Sequence, residues 1–454
     1  MALQIVILAA GKGTRMKSSL PKVLHTIANR PMIEHIYETA KSLQPSKIHI
    51  VYGFNGELLK SRLSYLDANF VEQKEQLGTA HAVQQALPYI NDQDDLLVLY
   101  GDTVFVKKDT LIYLMDAAKE KSLSVLTCNV ENPNGLGRIV RDSEGNFEKI
   151  VEQKDASHDE LNIKEINTGV CFGRAALFKE LISLVKCNNN QKEFYLTDIF
   201  SIALTKKYSV NTYTTDDQNE SLGINDHIQQ AQMERVYQMN KVKDLMKEGL
   251  TVIDPNRFDL RGKLEFGTDV VIDINVIIEG NVKLGNNVKI GAGCVLKDCV
   301  IDDDSIISPY SIIESSHIHS KNTIGPFARL RPGCELEDEV HVGNFVEVKN
   351  SKIDKGTKAG HLTYIGDSEV GKNVNFGAGT ITCNYDGANK HKTIIGDDVF
   401  IGSDTQFVAP VEIKKGATIG AGSTITKNID ENELVITRVP QRHINGWKRP
   451  SKNK

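Results

Sequence analysis

The first 225 residues alternate short apolar runs with longer amphipathic stretches. The apolar runs cover residues 4–8, 48–52, 95–100 and 124–130. Runs of this length are typical of buried strands, and the stretches between them have the apolar spacing of helices. Strands that alternate with helices along the chain predict an α/β domain, in which helices cover a mainly parallel sheet.

A helical pattern without strands follows between His227 and Leu250. Neither Gly nor Pro interrupts it before Gly249, and apolar residues recur at helical spacing among many polar ones. The apolar residues are Ile228, Met233, Val236, Met239, Val242 and Met246. This pattern predicts a linker helix over 228–248, between a first domain over 1–227 and a second over 249–454.

From Val252 onward the apolar residues recur every six positions. The series is Val252, Phe258, Leu264, Val270, Val276, Val282, Val288, Cys294, Val300, Ile306, Ile312, Ile318, Ile324, Leu330, Leu336, Val342 and Val348. A strict period of six fits neither a helix nor a free strand. It fits a hexapeptide β-helix, because three short strands make one coil of about 18 residues with an aliphatic residue inward from each side. We therefore predict a left-handed parallel β-helix with the whole series in its core.

The six-residue register slips near Ile353 and returns at Ile395. It then continues at Ile401, Phe407, Ile413, Ile419 and Ile425. We expect the segment between to leave the stack, and its polar, Gly-containing stretch over 383–390 predicts a protruding loop. Loops on a regular scaffold are where binding and catalytic residues concentrate.

Composition and charge exclude several classes of protein. Hydrophobic residues make up 40% and charged residues 25% of the chain, which is the balance of a folded globular protein. With 54 Lys and Arg against 59 Asp and Glu, the formal net charge is -5, so no overall positive field attracts nucleic acid or an anionic membrane. No apolar run reaches the ~18 residues of a membrane span, and we expect a cytoplasmic protein.

The first loop carries a candidate phosphate site. Residues 8–16 read Leu-Ala-Ala-Gly-Lys-Gly-Thr-Arg-Met, and Pro21 and Lys22 follow. Small residues let backbone N–H groups approach a polyphosphate, Arg15 offers a rigid fork for phosphate oxygens, and Lys22 adds a compact positive charge. The spacing fits neither a P-loop nor a dinucleotide fingerprint. Taken alone, the loop is explained equally well as a tight turn with exposed basic residues.

Further motifs follow in an order that resembles the sugar-phosphate nucleotidyltransferases. They lie at 8–16, 20–24, 73, 76–80, 100–102, 135–138, 151–154, 165–169 and 223–225. With the hexapeptide half, the resemblance covers essentially the whole chain and points to the bacterial bifunctional members of that family. It implies a Rossmann-like nucleotidyltransferase domain that joins UMP from UTP to N-acetylglucosamine 1-phosphate, releasing pyrophosphate. It also implies that the β-helix acetylates glucosamine 1-phosphate with acetyl-CoA.

The resemblance implies a Mg²⁺ site at Asp102 and Asn225, beside catalytic residues Arg15 and Lys22. Asp102 ends a predicted strand, at the edge where open α/β sheets bind ligands. Carboxylate and amide oxygens suit Mg²⁺, which takes its remaining oxygens from water and phosphate. Without the resemblance, an aspartate at this place is more often a turn residue. One departure is visible, because relatives often have a proline where this chain has Val104.

The resemblance also assigns the nucleotide-sugar contacts of the first domain. The residues assigned to UTP and UDP-N-acetylglucosamine are Leu8, Ala9, Ala10, Gly11, Lys22, Gln73, Gly78, Thr79, Tyr100, Gly101, Asp102, Gly137, Glu152, Asn167 and Asn225. Within this set, Gly137, Glu152 and Asn167 are expected to hold the hydroxyls and amide of the sugar. The loop over 8–11 is expected to contact uracil and ribose together with Gln73, Gly78 and Thr79.

His361, in the out-of-register segment, is the candidate general base of the second reaction. We take it as the histidine closest to the ejected loop. A base that removes a proton from an ammonium group works best when it titrates near the working pH, as histidine does. The residues alone favour the alternative of a structural histidine at a coil corner.

Cations and hydrogen-bonding residues from successive coils accompany His361. The resemblance implies that the residues holding glucosamine 1-phosphate are Arg331, Lys349, Tyr364, Asn375 and Lys390. It implies that those holding acetyl-CoA are Ala378, Asn384, Tyr385, Ser403, Ala421 and Arg438, with a backbone N–H near Ala378 on the thioester oxyanion. The sequence shows no Ser or Cys nucleophile beside a base, so we expect direct transfer without an acyl-enzyme.

The C-terminal end is basic and contains the only tryptophan, Trp447. Its basic residues are Arg438, Arg442, Lys448, Arg449, Lys452 and Lys454. They suit the phosphates of coenzyme A, and a solvated tail is the alternative. The resemblance further implies a homotrimer.

Other interpretations compete with a two-reaction enzyme. The β-helix could serve only as an oligomerisation module, although the grouped Arg331, Lys349 and His361 disfavour a bare scaffold. A non-catalytic nucleotide-sugar sensor is disfavoured by the charged residues of the first domain. A metal pair at His317 and His319 is disfavoured, because the sequence shows no third ligand beside them.

Overall fold

The computed structural model describes residues 2–118, 122–450 and 452 of the chain, so Lys454 of the basic end lies outside the described residues. The chain divides into two compact units between Glu234 and Arg235. Within the described part of the chain, no helix has the length and apolar character that a membrane span requires.

The first unit is built on a nine-stranded mixed sheet. The strands of this unit are β1 (Leu3–Ala9), β2 (Thr26–Ile27), β3 (Arg30–Pro31), β4 (Lys47–Tyr52), β5 (Asn69–Glu72), β6 (Asp95–Tyr100), β7 (Ser122–Asn129), β8 (Arg138–Arg141), β9 (Phe147–Val151), β10 (Glu165–Arg174) and β11 (Ser209–Thr215). The helices are α1 (Met32–Ser42), α2 (Gly56–Arg62), α3 (Thr79–Ala86), α4 (Lys108–Asp116), α5 (Ala175–Ile182) and α6 (Asp198–Thr205). The main order is β11-β7-β10-β6-β1-β4-β5, and β2 and β3 form a separate hairpin.

The central strand β1 explains why both faces of this sheet are covered. Its apolar run is continuous, with Ile5 and Ile7 in one core cluster and Val6 and Leu8 in another on the opposite face. Strands β4, β5 and β6 run parallel to it. The predicted α/β architecture is confirmed, and it gains a strand that the pattern did not foresee, because β10 runs antiparallel between β6 and β7.

A long helix, α7 (His227–Lys247), crosses the division between the units. Within the first unit, Glu234 accepts a hydrogen bond from the Ala28 N–H at 2.7 Å. Within the second unit, the Gln238 side chain donates to the Leu260 carbonyl and accepts from the Leu260 N–H. The apolar set predicted for this helix is only partly buried, since Val242 is fully buried and Ile228 is exposed.

The second unit is a parallel β-helix, as predicted from the hexapeptide period. Its strands are β12 (Thr251–Val252), β13 (Phe258–Phe266), β14 (Val271–Ile272), β15 (Val276–Leu284), β16 (Lys289–Ile290), β17 (Val295–Lys297), β18 (Val300–Ile301), β19 (Ile306–Ile307), β20 (Ile312–Glu314), β21 (His317–Ile318), β22 (Thr323–Ile324), β23 (Arg329–Leu330), β24 (Glu335–Leu336), β25 (His341–Asn344), β26 (Glu347–Lys349), β27 (Lys352–Ile353), β28 (Lys358–His361), β29 (Tyr364–Gly366), β30 (Ser368–Val370), β31 (Asn375–Phe376), β32 (Ile381–Cys383), β33 (Thr393–Ile395), β34 (Phe400–Ile401), β35 (Gln406–Val408), β36 (Val411–Ile413), β37 (Thr418–Ile419), β38 (Thr424–Ile425) and β39 (Leu434–Val435). They form parallel sheets of 11 and 17 strands around one apolar core.

Part of the predicted core series does not point inward. Two repeats are one residue short, because the buried positions step from Cys294 to Cys299 and from Ser311 to Ser316. The members that lie outside the core as a result are Val300, Ile306 and Ile312. Their neighbours Ile301, Ile307 and Ile313 are buried instead. The two missing residues together shift the series by two positions, which returns it to inward-facing sites. The period of six in the sequence therefore did not reveal them.

Most of the segment expected to leave the stack remains in it. Strands β28 to β32 pair in register with the coils before them, as when Lys358 pairs with Asn375. The register slip has a simpler cause, since these coils repeat every 17 residues. Only one coil carries an insert, where partners lie 25 residues apart, and the insert is a hairpin closed by the Tyr385–Lys390 bridge.

Candidate functional site

A cavity of about 470 Å³ opens at the carboxyl ends of β1 and β6. The predicted residues that line it are Leu8, Ala9, Ala10, Gly11, Lys22, Gln73, Gly78, Thr79, Tyr100 and Asp102. Lining residues outside the predicted contact set are Lys12, Val23, Gln76, Ala82 and Glu193. Gly101 lies beside this wall, and its N–H donates to the Leu8 carbonyl at 2.9 Å. The parallel strands thus bring segments far apart in sequence to one concave edge.

Two glycines shape this cavity. Gly13 has φ +57°, and a Cβ there would lie 2.7 Å from the Cβ of Lys22. Gly78 has φ +122°, and a Cβ there would lie 2.5 Å from the Phe194 carbonyl oxygen. Both positions therefore require glycine, for conformation and for close approach. Gly11 has open space around it, as a backbone that receives a ligand needs.

Lys22 links the two predicted metal ligands. Its ammonium forms an ion pair with Asp102, and it donates a hydrogen bond to Asn225 Oδ1 at 2.7 Å. The carboxylate and amide oxygens therefore converge on one cation, which is the arrangement that a Mg²⁺ ion with two protein ligands requires. These residues fit the metal that the resemblance implies. Their convergence also explains why the loop and the distant residue 225 belong to one site.

The backbone around Gly223 holds Asn225 in this position. The Ile224 N–H donates to the Asp102 carbonyl, and the Asn225 amide donates to the Gly223 carbonyl at 3.0 Å. A Cβ at Gly223 would lie 3.2 Å from an Asp102 carboxylate oxygen. The turn after Asp102 is closed by the Thr103 hydroxyl, which donates to the Tyr100 carbonyl at 2.8 Å.

Gln73 is buried against the cavity with its amide orientation fixed. Its Nε2 donates to the Gly78 carbonyl at 3.1 Å and contacts His81 Nδ1 at 3.0 Å. Both contacts use the nitrogen, so the amide oxygen is the atom left for a ligand. An acceptor at this place suits a base that presents an N–H.

The three residues predicted for the sugar lie together next to Tyr100. The Asn167 N–H donates to the Gly137 carbonyl at 2.9 Å, and a Cβ at Gly137 would lie 3.4 Å from Glu152. A Cβ at Gly169 would strike the Tyr100 ring. Burial, with Asp155 and Asp198 nearby, raises the pKa of Glu152. Glu152 also lines a second cavity of about 610 Å³.

Arg15 is the predicted residue that stands apart. It lies exposed on the short helical turn Thr14–Met16, and the described lining residues of the cavity do not include it. Its catalytic role stays a prediction.

In the β-helix, His361 ends β28 and is held by Asn344 of the preceding coil. His361 Nδ1 lies 2.6 Å from Asn344 Oδ1. An amide oxygen only accepts, so Nδ1 carries a hydrogen, and in the neutral imidazole the lone pair is on Nε2. His361 is exposed, which leaves Nε2 accessible. Sequence reasoning missed Asn344, although counting back one coil length from His361 identifies it.

Three of the residues predicted to hold acetyl-CoA continue the column that begins with Asn344 and His361. Asn344 pairs with His361, the Asp404 N–H donates to the Ala378 carbonyl, and the Gly422 N–H donates to the Ser403 carbonyl. The column places His361, Ala378, Ser403 and Ala421 at one corner of successive coils, about 4.8 Å apart. Among the described residues, none accepts a hydrogen bond from the Ala378 N–H.

The predicted phosphate residues Arg331 and Lys349 form a second column, one short strand beyond the corner of His361. Pairing of β23, β26 and β29 aligns Arg331 with Lys349 and Gly366. Lys390 reaches this column from the hairpin, where contact with Lys349 and its charge lowers the pKa of Lys390. Arg331 is paired with Glu347 at 3.0 Å and Lys349 with Asp367 at 3.4 Å, so two of these three cations have a carboxylate partner.

Asp367 organises this second site, and sequence reasoning missed it. Its carboxylate accepts hydrogen bonds from Asn350 at 2.7 Å and from Asn384, and it lies 3.4 Å from Lys349 Nζ. Burial acts to raise the pKa of Asp367, but the hydrogen bonds and the lysine charge together lower it. Asn384 also contacts the Tyr364 hydroxyl at 3.5 Å. The coil period marks Asp367, because Asn350 lies 17 residues before it and Asn384 lies 17 residues after it.

The prediction that His361 is the histidine closest to the protruding hairpin is wrong. His391 lies in the insert itself and contacts Asp386 at 2.7 Å, whereas His361 lies in the stack. Tyr385 is exposed at the hairpin, and Asn375 is exposed on β31. Arg438 lies over Gly422, and the described basic residues beyond it are exposed.

The structure also corrects the view that His317 and His319 have no third ligand. Asp302 lies 2.9 Å from His317 Nε2 and 3.3 Å from His319 Nδ1. Asp302 belongs to the preceding coil, so sequence separation concealed it.

Comparisons with known families agree with this geometry. Residues 5–180 match a MobA-like NTP transferase domain, residues 260–353 match a GMPPB C-terminal domain, and residues 392–427 match six repeats of the bacterial transferase hexapeptide. The chain is a transferase. It carries a nucleotidyltransferase domain and an acyltransferase-like hexapeptide-repeat domain.

A solved nucleotidyl transferase from Methanothermobacter thermautotroptrophicus also aligns with the chain. The alignment covers 52% of this chain and 97% of that chain, at 14% identity and a TM-score of 0.38. A likeness of this size is too small to bear on the site.

Proposed function

We propose that this transferase is a bifunctional N-acetylglucosamine-1-phosphate uridylyltransferase and glucosamine-1-phosphate N-acetyltransferase. The observation that carries the proposal is that each unit brings together the residues assigned to one reaction. The first unit joins Lys22, Asp102 and Asn225 at a nucleotide-sized cavity. The second unit places His361 at the corner before β29 and a cation cluster at the far end of that strand.

In the first unit, the residues divide the work of binding UTP and the sugar phosphate. The Gln73 amide oxygen is placed to accept the N3–H of uracil, and small residues at 8–11 admit ribose and phosphate. Mg²⁺, held by Asp102 and Asn225, would neutralise phosphate charge for in-line displacement at the α-phosphorus. A phosphate oxygen of N-acetylglucosamine 1-phosphate attacks, the bond to the β-phosphate breaks, and pyrophosphate leaves. Lys22 contributes its positive charge beside the same phosphates.

In the second unit, Nε2 of His361 is placed to take a proton from the 2-ammonium group of glucosamine 1-phosphate. The freed amine attacks the thioester of acetyl-CoA and the C–S bond breaks. The imidazolium gives its proton to the departing thiolate, and the second proton that the nitrogen loses passes to water. The Ala378 N–H is available to the oxyanion. Arg331, Lys349 and Lys390 offer the charge that a sugar phosphate needs. We further propose a cytoplasmic homotrimer, in which the tail and hairpin complete acetyl-CoA binding.

Incubation of the purified protein with glucosamine 1-phosphate, acetyl-CoA, UTP and Mg²⁺ tests both reactions. Free thiol and pyrophosphate are followed separately. We expect thiol release first, and pyrophosphate release that depends on acetyl-CoA unless N-acetylglucosamine 1-phosphate is supplied. Pyrophosphate release without any thiol release would contradict the proposal and favour a β-helix that only assembles the enzyme.

A further inference from the structure

The outer face of the β-helix carries two histidines and a carboxylate in contact. His317 and His319 flank the inward Ile318, so the alternation of the strand puts both imidazoles on the same outer face. Val300 pairs with His317 and Ile301 with Ile318, which sets Asp302 beside His319. Strand pairing alone therefore brings three potential ligands from two successive coils into contact.

The distances between the donor atoms suit one small divalent ion. Asp302 Oδ2 lies 2.9 Å from His317 Nε2 and 3.3 Å from His319 Nδ1, and the two ring centroids are 4.0 Å apart. Donor atoms of all three residues lie within 4.8 Å of one another. A tetrahedral ion with bonds of about 2.0–2.1 Å holds its ligand atoms roughly 3.4 Å apart. Small side-chain rotations would bring the three groups to that geometry.

A neighbouring group of carboxylates supports this choice of ligands. Glu335 lies 3.9 Å from His319 Nε2, on the side of the ring away from Asp302. Lys352 lies 3.5 Å from Glu335 and 3.0 Å from Glu337, so these two carboxylates already have a cation. An ion bound between Asp302 and His319 Nδ1 would leave the Nε2 hydrogen of His319 facing Glu335, as an outer partner of a metal-bound histidine does.

We propose that Asp302, His317 and His319 bind a divalent transition-metal ion such as Zn²⁺. Imidazole together with carboxylate suits this class of metal, whereas Mg²⁺ prefers oxygen ligands alone. The ion would link two successive coils, and the partial exposure of all three side chains leaves its fourth position to water.

Titration of the full-length, chelator-treated protein with Co²⁺ in excess Mg²⁺ tests the proposal. Mg²⁺ keeps the oxygen-ligand site occupied, and Co²⁺ bound to nitrogen gives a visible absorption band. We expect one Co²⁺ per chain, bound more tightly than about 10 µM and displaced by Zn²⁺. His317→Ala and His319→Ala should each weaken binding at least about 10-fold. The control His158→Ala, which removes an exposed histidine of the first unit, should bind like the unsubstituted protein.

A second measurement uses the unsubstituted protein, so it does not depend on the folding of a variant. Zn²⁺ should protect His317 and His319 from diethyl pyrocarbonate, as read by mass spectrometry, and leave His158 reactive. Equal affinity in His319→Ala and the unsubstituted protein, or modification of His317 and His319 unchanged by Zn²⁺, would overturn the proposal.

Discussion

Replacement of Asp367 by Ala should lower the free energy of local opening in the coils around the second site. The carboxylate is only 11% exposed and holds Lys349, Asn350 and Asn384. Removing one partner of a buried charged network costs about 3–5 kcal/mol, because the other groups lose their counter-charge and acceptor. Lys349 keeps some solvent contact, at 17% exposure, so we expect the low end, about 3 kcal/mol. That corresponds to roughly a 100-fold increase in local opening.

Native-state hydrogen exchange is the assay, because the stability of a solenoid is a sum over neighbouring coils. Amides of β26 and β29 should exchange about 100-fold faster in Asp367→Ala, while those of β13 and β14 remain unchanged. Glu369→Ala is the matched control, since it removes an exposed carboxylate paired with Lys392 and should cost less than about 1 kcal/mol. Equal effects of the two substitutions would refute the reasoning.

The same substitution predicts a dependence on pH with a definite sign. The pKa of Asp367 is lowered in the folded protein, so its stabilising effect is complete above the unfolded value of about 3.9. It is lost as the pH falls through the folded pKa. The difference in exchange between Asp367→Ala and the unsubstituted protein should be full at pH 7 and shrink below about pH 4. A difference that is constant down to strongly acidic pH would show that the charge of the carboxylate is not the cause.

Two further predictions concern the separate units. A fragment of residues 1–234 should make UDP-N-acetylglucosamine from N-acetylglucosamine 1-phosphate without acetyl transfer. It should melt above a 1–227 fragment, which lacks the helical residues bonded to the body of the unit, and equal melting would contradict this. Gly366→Ala should slow acetyl transfer with little effect on uridylylation, because a Cβ there would lie 2.4 Å from the Tyr364 hydroxyl and 2.8 Å from Asn384 Nδ2. Steady-state rates of both reactions check it, and unchanged acetyl transfer would contradict it.

The sequence predicted the repeating β-helix and the position of residues that follow clear strands. Asp102 follows a clear apolar strand, so its place at the cavity edge could be anticipated, and the period of six predicted the β-helix. Antiparallel β10 could not be anticipated, since strand direction depends on pairing partners and leaves no mark on its own residues. The two short repeats escaped because Ile306 and Ile312 are as apolar as the buried Ile307 and Ile313 beside them.

Contacts between coils account for the rest of what the sequence did not reveal. Asn344 meets His361, and Asp302 meets His319, at a separation of one coil. Counting coil lengths along the chain would have found both. It would also have found Asp367, because its partners Asn350 and Asn384 lie 17 residues before and after it.

The most direct test of a two-reaction enzyme is to impair each reaction separately, with Asp102→Asn and His361→Ala in the full-length protein. Thiol release from acetyl-CoA and pyrophosphate release from UTP are measured on each variant. Asp102→Asn should abolish or severely slow pyrophosphate release, because one carboxylate charge fewer would hold Mg²⁺, and it should leave thiol release intact. His361→Ala should lower thiol release by roughly 10²- to 10⁴-fold, with kcat falling far more than KM rises, and leave pyrophosphate release intact. Loss of both activities in either variant, or near-native acetyl transfer by His361→Ala, would contradict the account.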